Sequence, residues 1–278
     1  MSVLAISDLS LAIRADGEEF PILNGVNLEI EPGEIHGLAG ESGSGKTITG
    51  LTVMGLEPRN STVTGVVEVN GISVLDKSKT ALNSIRGSVV GMIFQDPSTS
   101  LHPMLNIERQ LTDHTRKHLK LGKKEAIAKA VEALGRVGIE DPKNALGRYP
   151  HEFSGGQRQR IAIASALACE PKLLIADEVT TALDVTVQAG ILRLIRSLAD
   201  EIGLAVLFVS HDLGVVSALT DQVSVMQNGA IVESGSRFDV FQNPQHGYTK
   251  ALLASLPGAK GGLERREDLY CLDLMRDL

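Results

Sequence analysis

The chain has 278 residues, enough for one large domain or two small ones with a sizeable core. Its formal net charge is -7, so the overall basic balance that marks nucleic-acid binding is absent, and with 3% aromatic residues and no Trp a base-stacking platform is not expected. The two cysteines, Cys169 and Cys271, lie far apart without metal-type spacing, which fits a reducing compartment, and no apolar run is long enough to cross a membrane as a helix.

The opening residues Met1-Ser2-Val3-Leu4 lack the charged-then-apolar pattern of a secretory leader, so a soluble chain that meets a membrane only through partners is expected. Residues 3–13 and 22–30 are rich in Val, Ile and Leu and partly alternate with polar residues. They read as strands joined by a turn at Asp16-Gly17, with Phe20 close to that turn. Residues 34–39 form a short, mostly apolar strand. It runs into Gly40-Glu41-Ser42-Gly43-Ser44-Gly45-Lys46-Thr47, which fits the phosphate-binding pattern G-x-x-x-x-G-K-[ST]. Residues 47–54 carry helical spacing (Ile48, Leu51, Met54), and Gly55 marks the stop. A strand, a glycine-rich turn and a helix start make an anion site, because the first helical N–H groups lack internal partners and the dipole adds positive potential. Lys46 is placed to reach the β- and γ-phosphates of a nucleotide, and the Thr47 hydroxyl to ligate Mg²⁺.

Residues 63–69, followed by Asn70-Gly71, read as another strand running into a turn, which gives a small antiparallel sheet beside the phosphate-binding core. Residues 89–94 are a buried-strand candidate ending in Gln95-Asp96-Pro97. From there to about 150 the pattern is helical, over 106–118 and 123–137, and no strand interrupts it. Leu101, Met104, Leu105 and Ile107 fit either the core of this block or contact with a partner, while Lys123-Lys124 reads as a solvated face. Ser154-Gly155-Gly156-Gln157 opens a helix over 158–169 with Ser154 as N-cap, a polar face of Arg158, Gln159 and Arg160, and an otherwise buried remainder that ends on Cys169.

Residues 173–178 are four apolar residues followed by Asp177 and Glu178: a central parallel strand with acids at its carboxyl end, where ligands sit in open α/β sheets. Residues 185–200 form an amphipathic helix. Residues 204–209 are another buried strand, ending in Ser210-His211-Asp212, and 223–227 with 230–233 flank the hairpin turn Asn228-Gly229. Helical pieces fill 236–257, and residues 258–278 read as a loose extension. The expected fold is α/β: a P-loop NTPase (RecA-like) core with an antiparallel β subdomain and a helical insertion at about 96–157, all within residues 1–257.

Several of these stretches together resemble the nucleotide-binding domain of ATP-binding cassette (ABC) proteins. Ser154-Gly155-Gly156-Gln157 followed by Arg158-Gln159-Arg160 resembles the signature motif. Residues 173–177 resemble the Walker B strand, with Glu178 at the catalytic glutamate position. Thr181-Ala182-Leu183-Asp184 resembles the D-loop, Gln95 the Q-loop and His211 the switch histidine. The motifs stand in family order from about residue 3 to about 257. Phe94-Gln95-Asp96-Pro97, Asp184-Val185-Thr186-Val187-Gln188 and His246-Gly247-Tyr248-Thr249-Lys250-Ala251-Leu252-Leu253 are further similar to the dipeptide/oligopeptide/nickel importer subfamily.

That resemblance implies an ATPase subunit on the cytoplasmic face of the inner membrane. It would serve two transmembrane permease subunits and pair with a second ABC ATPase subunit, a sibling rather than an identical copy, and an extracytoplasmic solute-binding protein would feed the permease. It implies Mg²⁺ held by Thr47 and Gln95, with Asp177 binding it through water, catalysis by Glu178, His211 and Gln95, and signature residues that cap the nucleotide of the second subunit. No aromatic aligns cleanly with the family's adenine-stacking position; Phe20 is the substitute for it, with plain packing as the alternative. Val179 replaces the subfamily's usual Pro, which has a fixed φ, and Gly190 interrupts a helix at a cost of up to ~1 kcal/mol. Some relatives carry a four-cysteine iron–sulfur cluster near the C-terminus. The tail here holds Cys271 alone, so no cluster is expected. The alternative is a non-transport ABC ATPase of DNA repair or translation. Such proteins generally carry zinc-binding insertions, long coiled coils or paired cassettes, and the sequence has none of these.

Overall fold

A computed structural model describes residues 2–75, 82–83, 85–95, 100–180 and 184–255. The chain divides into two compact units, one made of residues 1–82 and 205–278 and the other of residues 83–204.

The first unit begins with β1 (Leu4–Ala15) and β2 (Glu18–Ile30), an antiparallel pair. Asp16 and Gly17 join them at φ of 52° and 86°, the left-handed pair that a tight hairpin turn demands. Next come β3 (Ile35–Ala39) and α1 (Lys46–Val53), then β4 (Ser61–Val69) and β5 (Ile72–Ser73), which join through Asn70-Gly71. The antiparallel sheet runs β2-β1-β4-β5. Alternate residues of β1 and β2, among them Leu4, Ile6, Leu9, Leu11, Leu23 and Val26, are buried.

The second unit holds β6 (Val90–Ile93), α2 (Ile107–Leu119), α3 (Lys123–Arg136), α4 (Pro142–Ala145), α5 (Gly155–Leu167), β7 (Leu173–Asp177) and α6 (Val185–Ile202). Asn106 caps α2, its side chain accepting from the Arg109 N–H at 3.0 Å. Ile107 and Leu111 of α2 and Ala126, Ala130 and Leu134 of α3 are fully buried. The structure resolves the open reading of residues 101–107: Leu101 and Ile107 belong to the core, whereas Met104 is 77% exposed.

Helix α5 corrects two sequence expectations. Gln159 does not share a polar face with Arg158 and Arg160; it is fully buried, on the stripe that carries Ala162 and Ile163 one turn later. The helix also ends at Leu167, so Cys169 lies just beyond it. Cys169 is buried, and burial pushes its thiol up to about 11, as befits a small packing residue rather than a nucleophile.

The chain then returns to the first unit with β8 (Ala205–Ser210), α7 (Leu213–Leu219), β9 (Gln222–Gln227), β10 (Ala230–Ser236), α8 (Arg237–Gln242) and α9 (Gly247–Ala254). β3 lies between β8 and β9, parallel to both, and β10 pairs antiparallel with β9. Every residue of β3 and β8 is buried, as continuous apolar strands of a parallel sheet must be. Helix α7 escaped the sequence reading because it is short and mostly buried, and so shows no amphipathic period. Its signal is Asp212, whose carboxylate accepts from the Gly214 and Val215 N–H groups at 2.9 and 3.2 Å. A buried polar chain also ties β3 to β9 and β10. The His36 ring bonds Glu34 and the Ser224 hydroxyl, each at 2.9 Å, and Ser224 bonds Ser234 at 2.9 Å.

His114 on α2 donates from Nε2 to the Ser165 carbonyl of α5 at 3.1 Å, and burial lowers its pKa from the ordinary value near 6.5. The unfolded chain therefore takes up the proton at higher pH than the folded one. The stability that rests on this neutral ring is complete above about pH 6.5 and declines as pH falls below it. Urea midpoints measured from pH 8 down to pH 5 are expected to fall more steeply for the wild type than for His114→Gln; parallel curves would refute this.

Candidate functional site

The residues 40–47 leave β3 and enter α1 through a loop moulded around Lys46. The side chain is 4% exposed, and its ammonium donates to the Gly40 carbonyl at 2.8 Å, the Glu41 carbonyl at 2.7 Å and the Ser44 hydroxyl at 3.3 Å. A buried charge needs this full set of partners. Gly40 (φ 149°) and Gly45 (φ 108°) are required: a Cβ on Gly40 would overlap the Met226 carbonyl, and one on Gly45 would come 2.8 Å from Leu23 Cδ2. Outside contacts pin the loop. Gly229 donates its N–H to the Ser44 carbonyl at 2.9 Å, Asn24 donates to the Gly229 carbonyl at 2.9 Å, and the Glu41 N–H donates to the Tyr248 hydroxyl at 3.2 Å. A cation, a glycine turn and a helix N-terminus converge here, a set that fits a polyphosphate.

Two other expected site residues share this unit. Ala39 pairs with Ser210 across the parallel β3–β8 ladder, so Gly40 and His211 leave neighbouring strands at the same carboxyl end. Phe20 is 48% exposed on β2, opposite Ile13 and three residues before Leu23, which touches the loop.

The second unit repeats this logic. Ile93 pairs with Ala176 in the parallel β6–β7 ladder, so Gln95 and the Asp177-Glu178 pair emerge at the carboxyl ends of adjacent strands. Asp177 is 5% exposed. Glu178 has a φ of 47°, a left-handed value that costs a non-glycine residue about 1–2 kcal/mol and aims the side chain differently from a continued strand. Val179, expected to loosen this turn by replacing Pro, is 2% exposed, so packing anchors it in place of a ring-fixed φ.

Ser154 and Gln157 form a capping box at the start of α5. Ser154 Oγ accepts from the Gln157 N–H at 3.3 Å, and Gln157 Oε1 accepts from the Ser154 N–H at 3.0 Å. Gly155 has open space where a Cβ would be, whereas a Cβ on Gly156 would come 2.7 Å from Val187 Cγ1 of α6. Asp184 caps α6, accepting from the Val187 N–H at 3.0 Å. Gly190 has a structural reason: a Cβ there would crowd Arg160 Nη2 at 3.1 Å, and the same guanidinium donates to the Val137 carbonyl at 2.7 Å. The D-loop residues Thr181, Ala182 and Leu183, the Asp96-Pro97 pair and the tail from 256, including Cys271, lie outside the described residues.

The first unit thus carries Gly40, Glu41, Ser42, Gly43, Ser44, Gly45, Lys46 and Thr47, with His211 at the end of the neighbouring strand and Phe20 on β2. The second carries Gln95 beside Asp177 and Glu178, and, at the starts of α5 and α6, Ser154, Gly155, Gly156, Gln157 and Asp184. The sequence reading quoted Tyr248 and Val187 only within importer-like stretches, with Val187 on the apolar face of its helix, and did not use Met226; it could not name the partners Glu41, Gly156 and Gly40, which lie more than 25 residues away along the chain. Gly156→Ala is expected to cost about 1–3 kcal/mol through overpacking against Val187, with partial recovery in Gly156→Ala/Val187→Ala and no loss in Gly155→Ala. Urea denaturation of the variants measures this, and equal costs at the two glycines would refute it.

A family profile described as ABC transporter matches residues 23–181. The oligopeptide transport ATP-binding protein OppD of Bacillus subtilis is 45% identical over 257 residues, covering 92% of this chain and 72% of the relative. Among solved structures, the dimeric bacterial ABC transporter cassette MJ0796 aligns with a TM-score of 0.75 at 28% identity, covering 84% of this chain and 98% of that one. A post-hydrolysis dimer of the same cassette, bound to ADP and Pi, aligns with a TM-score of 0.73 at 27% identity, over 84% of this chain and 98% of that one. With the P-loop of the first unit and the paired carboxylates of the second, these likenesses establish that the chain belongs to the ABC transporter family and is an ATP-binding, ATP-hydrolysing subunit of that family.

Proposed function

We propose that this chain energises an importer for peptides or a related small solute, working from the cytoplasmic face of the inner membrane. The observation that carries this reading is 45% identity over 92% of the chain to an oligopeptide transport ATP-binding protein. No helix among the described residues is long and apolar enough to cross a membrane. In this reading two separate permease subunits carry the solute. The extracytoplasmic solute-binding protein acts through them. We read residues 1–257 as one ATP-binding domain, with the helical block of about 96–157 as an insertion that meets the permease, where the exposed Met104 offers an apolar contact.

The residues divide the chemistry as follows. Lys46 exchanges the carbonyl oxygens of Gly40 and Glu41 for the β- and γ-phosphate oxygens of ATP. Phe20 offers its exposed ring to the adenine. Thr47, Gln95 and Asp177 are the hard oxygen donors that Mg²⁺ takes, and they would hold it. Bound there, Mg²⁺ neutralises charge that develops on the phosphates. Glu178 polarises the attacking water, and His211 holds the γ-phosphate in line with it. Ser154, Gly155, Gly156 and Gln157, at the start of α5, reach the nucleotide of a second ATPase subunit, a sibling chain, and Asp184 lies beside that contact. Closing and opening this pair drives the permease.

Glu178→Gln tests the assignment, because it keeps shape and removes the charge. Hydrolysis is expected to fall by about 10²-fold or more with ATP binding retained, since a general base contributes on that order. Equal turnover in both proteins would remove Glu178 from this role. Detergent extraction from native membranes should bring two hydrophobic permeases and a second ATPase with the chain; a catch of nucleic-acid enzymes would overturn the transport reading.

A further inference from the structure

The peptide group that joins Gly40 to Glu41 is held at both ends. Its carbonyl, that of Gly40, accepts from Lys46 Nζ at 2.8 Å, and its N–H, that of Glu41, donates to the Tyr248 hydroxyl at 3.2 Å. The first bond belongs to the residue that must leave for phosphate. The second does not, because Tyr248 comes from α9, 207 positions along the chain from Glu41.

Tyr248 is itself firmly seated. At the start of α9, His246 Nδ1 accepts from the Tyr248 N–H at 3.2 Å. Glu233 of β10 then anchors the turn before it, with Oε1 accepting from the Gln245 N–H at 2.6 Å and Oε2 from the His246 N–H at 3.1 Å. Burial works against ionisation of Glu233, but the Gln245 and His246 amides outweigh it and hold its carboxyl below the ordinary value, so this anchor is a carboxylate. A continuous chain of hydrogen bonds therefore runs from β10 through the start of α9 to the entry of the P-loop.

We propose that Tyr248 is a positioning residue for the P-loop: its hydroxyl keeps the Gly40–Glu41 peptide in place when Lys46 turns from the loop carbonyls to the nucleotide. The loop then needs no rearrangement at its entry when ATP arrives, which lowers the ordering cost of binding. This rests on the ATP site assigned above. It predicts an effect on nucleotide affinity and none on the chemical step, because Tyr248 acts on the Glu41 amide and takes no part in activating water.

The test uses the full chain, with a fluorescent N-methylanthraniloyl ATP and Mg²⁺ as the probe. Tyr248→Phe removes one hydroxyl and keeps the ring. The expected result is binding weaker by about 2- to 10-fold, the fold-change of one net hydrogen bond, with turnover at saturating ATP unchanged. Hydrogen exchange of the peptide containing Glu41 should quicken. Glu233→Gln, which loosens the seat of α9 without touching the loop, should move both readouts in the same direction by less. Binding and exchange equal to wild type in Tyr248→Phe overturn the proposal, as does lost turnover at unchanged affinity. Lys46→Ala separates the two levels of argument. If wild type binds the probe no better than Lys46→Ala, the nucleotide site itself is misassigned; if wild type binds and Tyr248→Phe matches it, only the positioning role fails.

Discussion

One buried ammonium organises the nucleotide site. Lys46 has too little contact with water to be solvated by it, and a charge so placed is costly unless the protein replaces the lost water. The P-loop replaces it with its own carbonyls and a hydroxyl. That requirement forces the loop into a tight ring, and the ring forces the glycines: at Gly40 and Gly45 any side chain would strike β2 or β9. The loop is therefore not a flexible tether. It is pressed against the Leu23 side chain, the Met226 carbonyl and the Gly229 amide, and this packing holds the Lys46 cation at the start of α1.

The same economy places the carboxylates. Parallel strands deliver their carboxyl ends to one edge, so a register between neighbouring strands becomes a distance between functional residues. The pairing of Ala39 with Ser210 sets Gly40 beside His211, and the pairing of Ile93 with Ala176 sets Gln95 beside Asp177. Val, Ile and Leu fill these strands because both faces are covered, and the polar groups gather where the strands end. Glu178 departs from its strand in a left-handed turn, and the buried Val179 behind it holds that turn.

The second unit depends on close approach between helices. Gly156 lets the start of α5 rest on Val187 of α6, and Gly190 lets α6 accept the Arg160 guanidinium. Each glycine weakens its own helix by up to ~1 kcal/mol, and the packing or hydrogen bonding it admits offsets that loss. Ser154 and Gln157 serve their own helix through the capping box, so the exposed start of α5 is ordered by bonds within its own chain.

The sequence alone determined the elements and the chemistry. Periods of two and near four, hairpin dipeptides such as Asp16-Gly17 and Asn228-Gly229, and the glycine-lysine spacing of the P-loop are local, because backbone sterics and helix dipoles act within a few residues. These signals placed Lys46 at the start of α1, and Asp177, Glu178 and His211 at the carboxyl ends of β7 and β8. They failed where the cause lies elsewhere in the chain. Gln159 reads as polar and is buried because of what packs on α5; Gly190 reads as a defect and is a seat for Arg160; Met104 and Ile107 look alike and end on opposite sides of the surface. Tertiary structure alone decided those outcomes, and it alone brought Tyr248 to Glu41, because burial and hydrogen bonding between distant segments depend on which surfaces meet, and one chain segment carries no record of its neighbour.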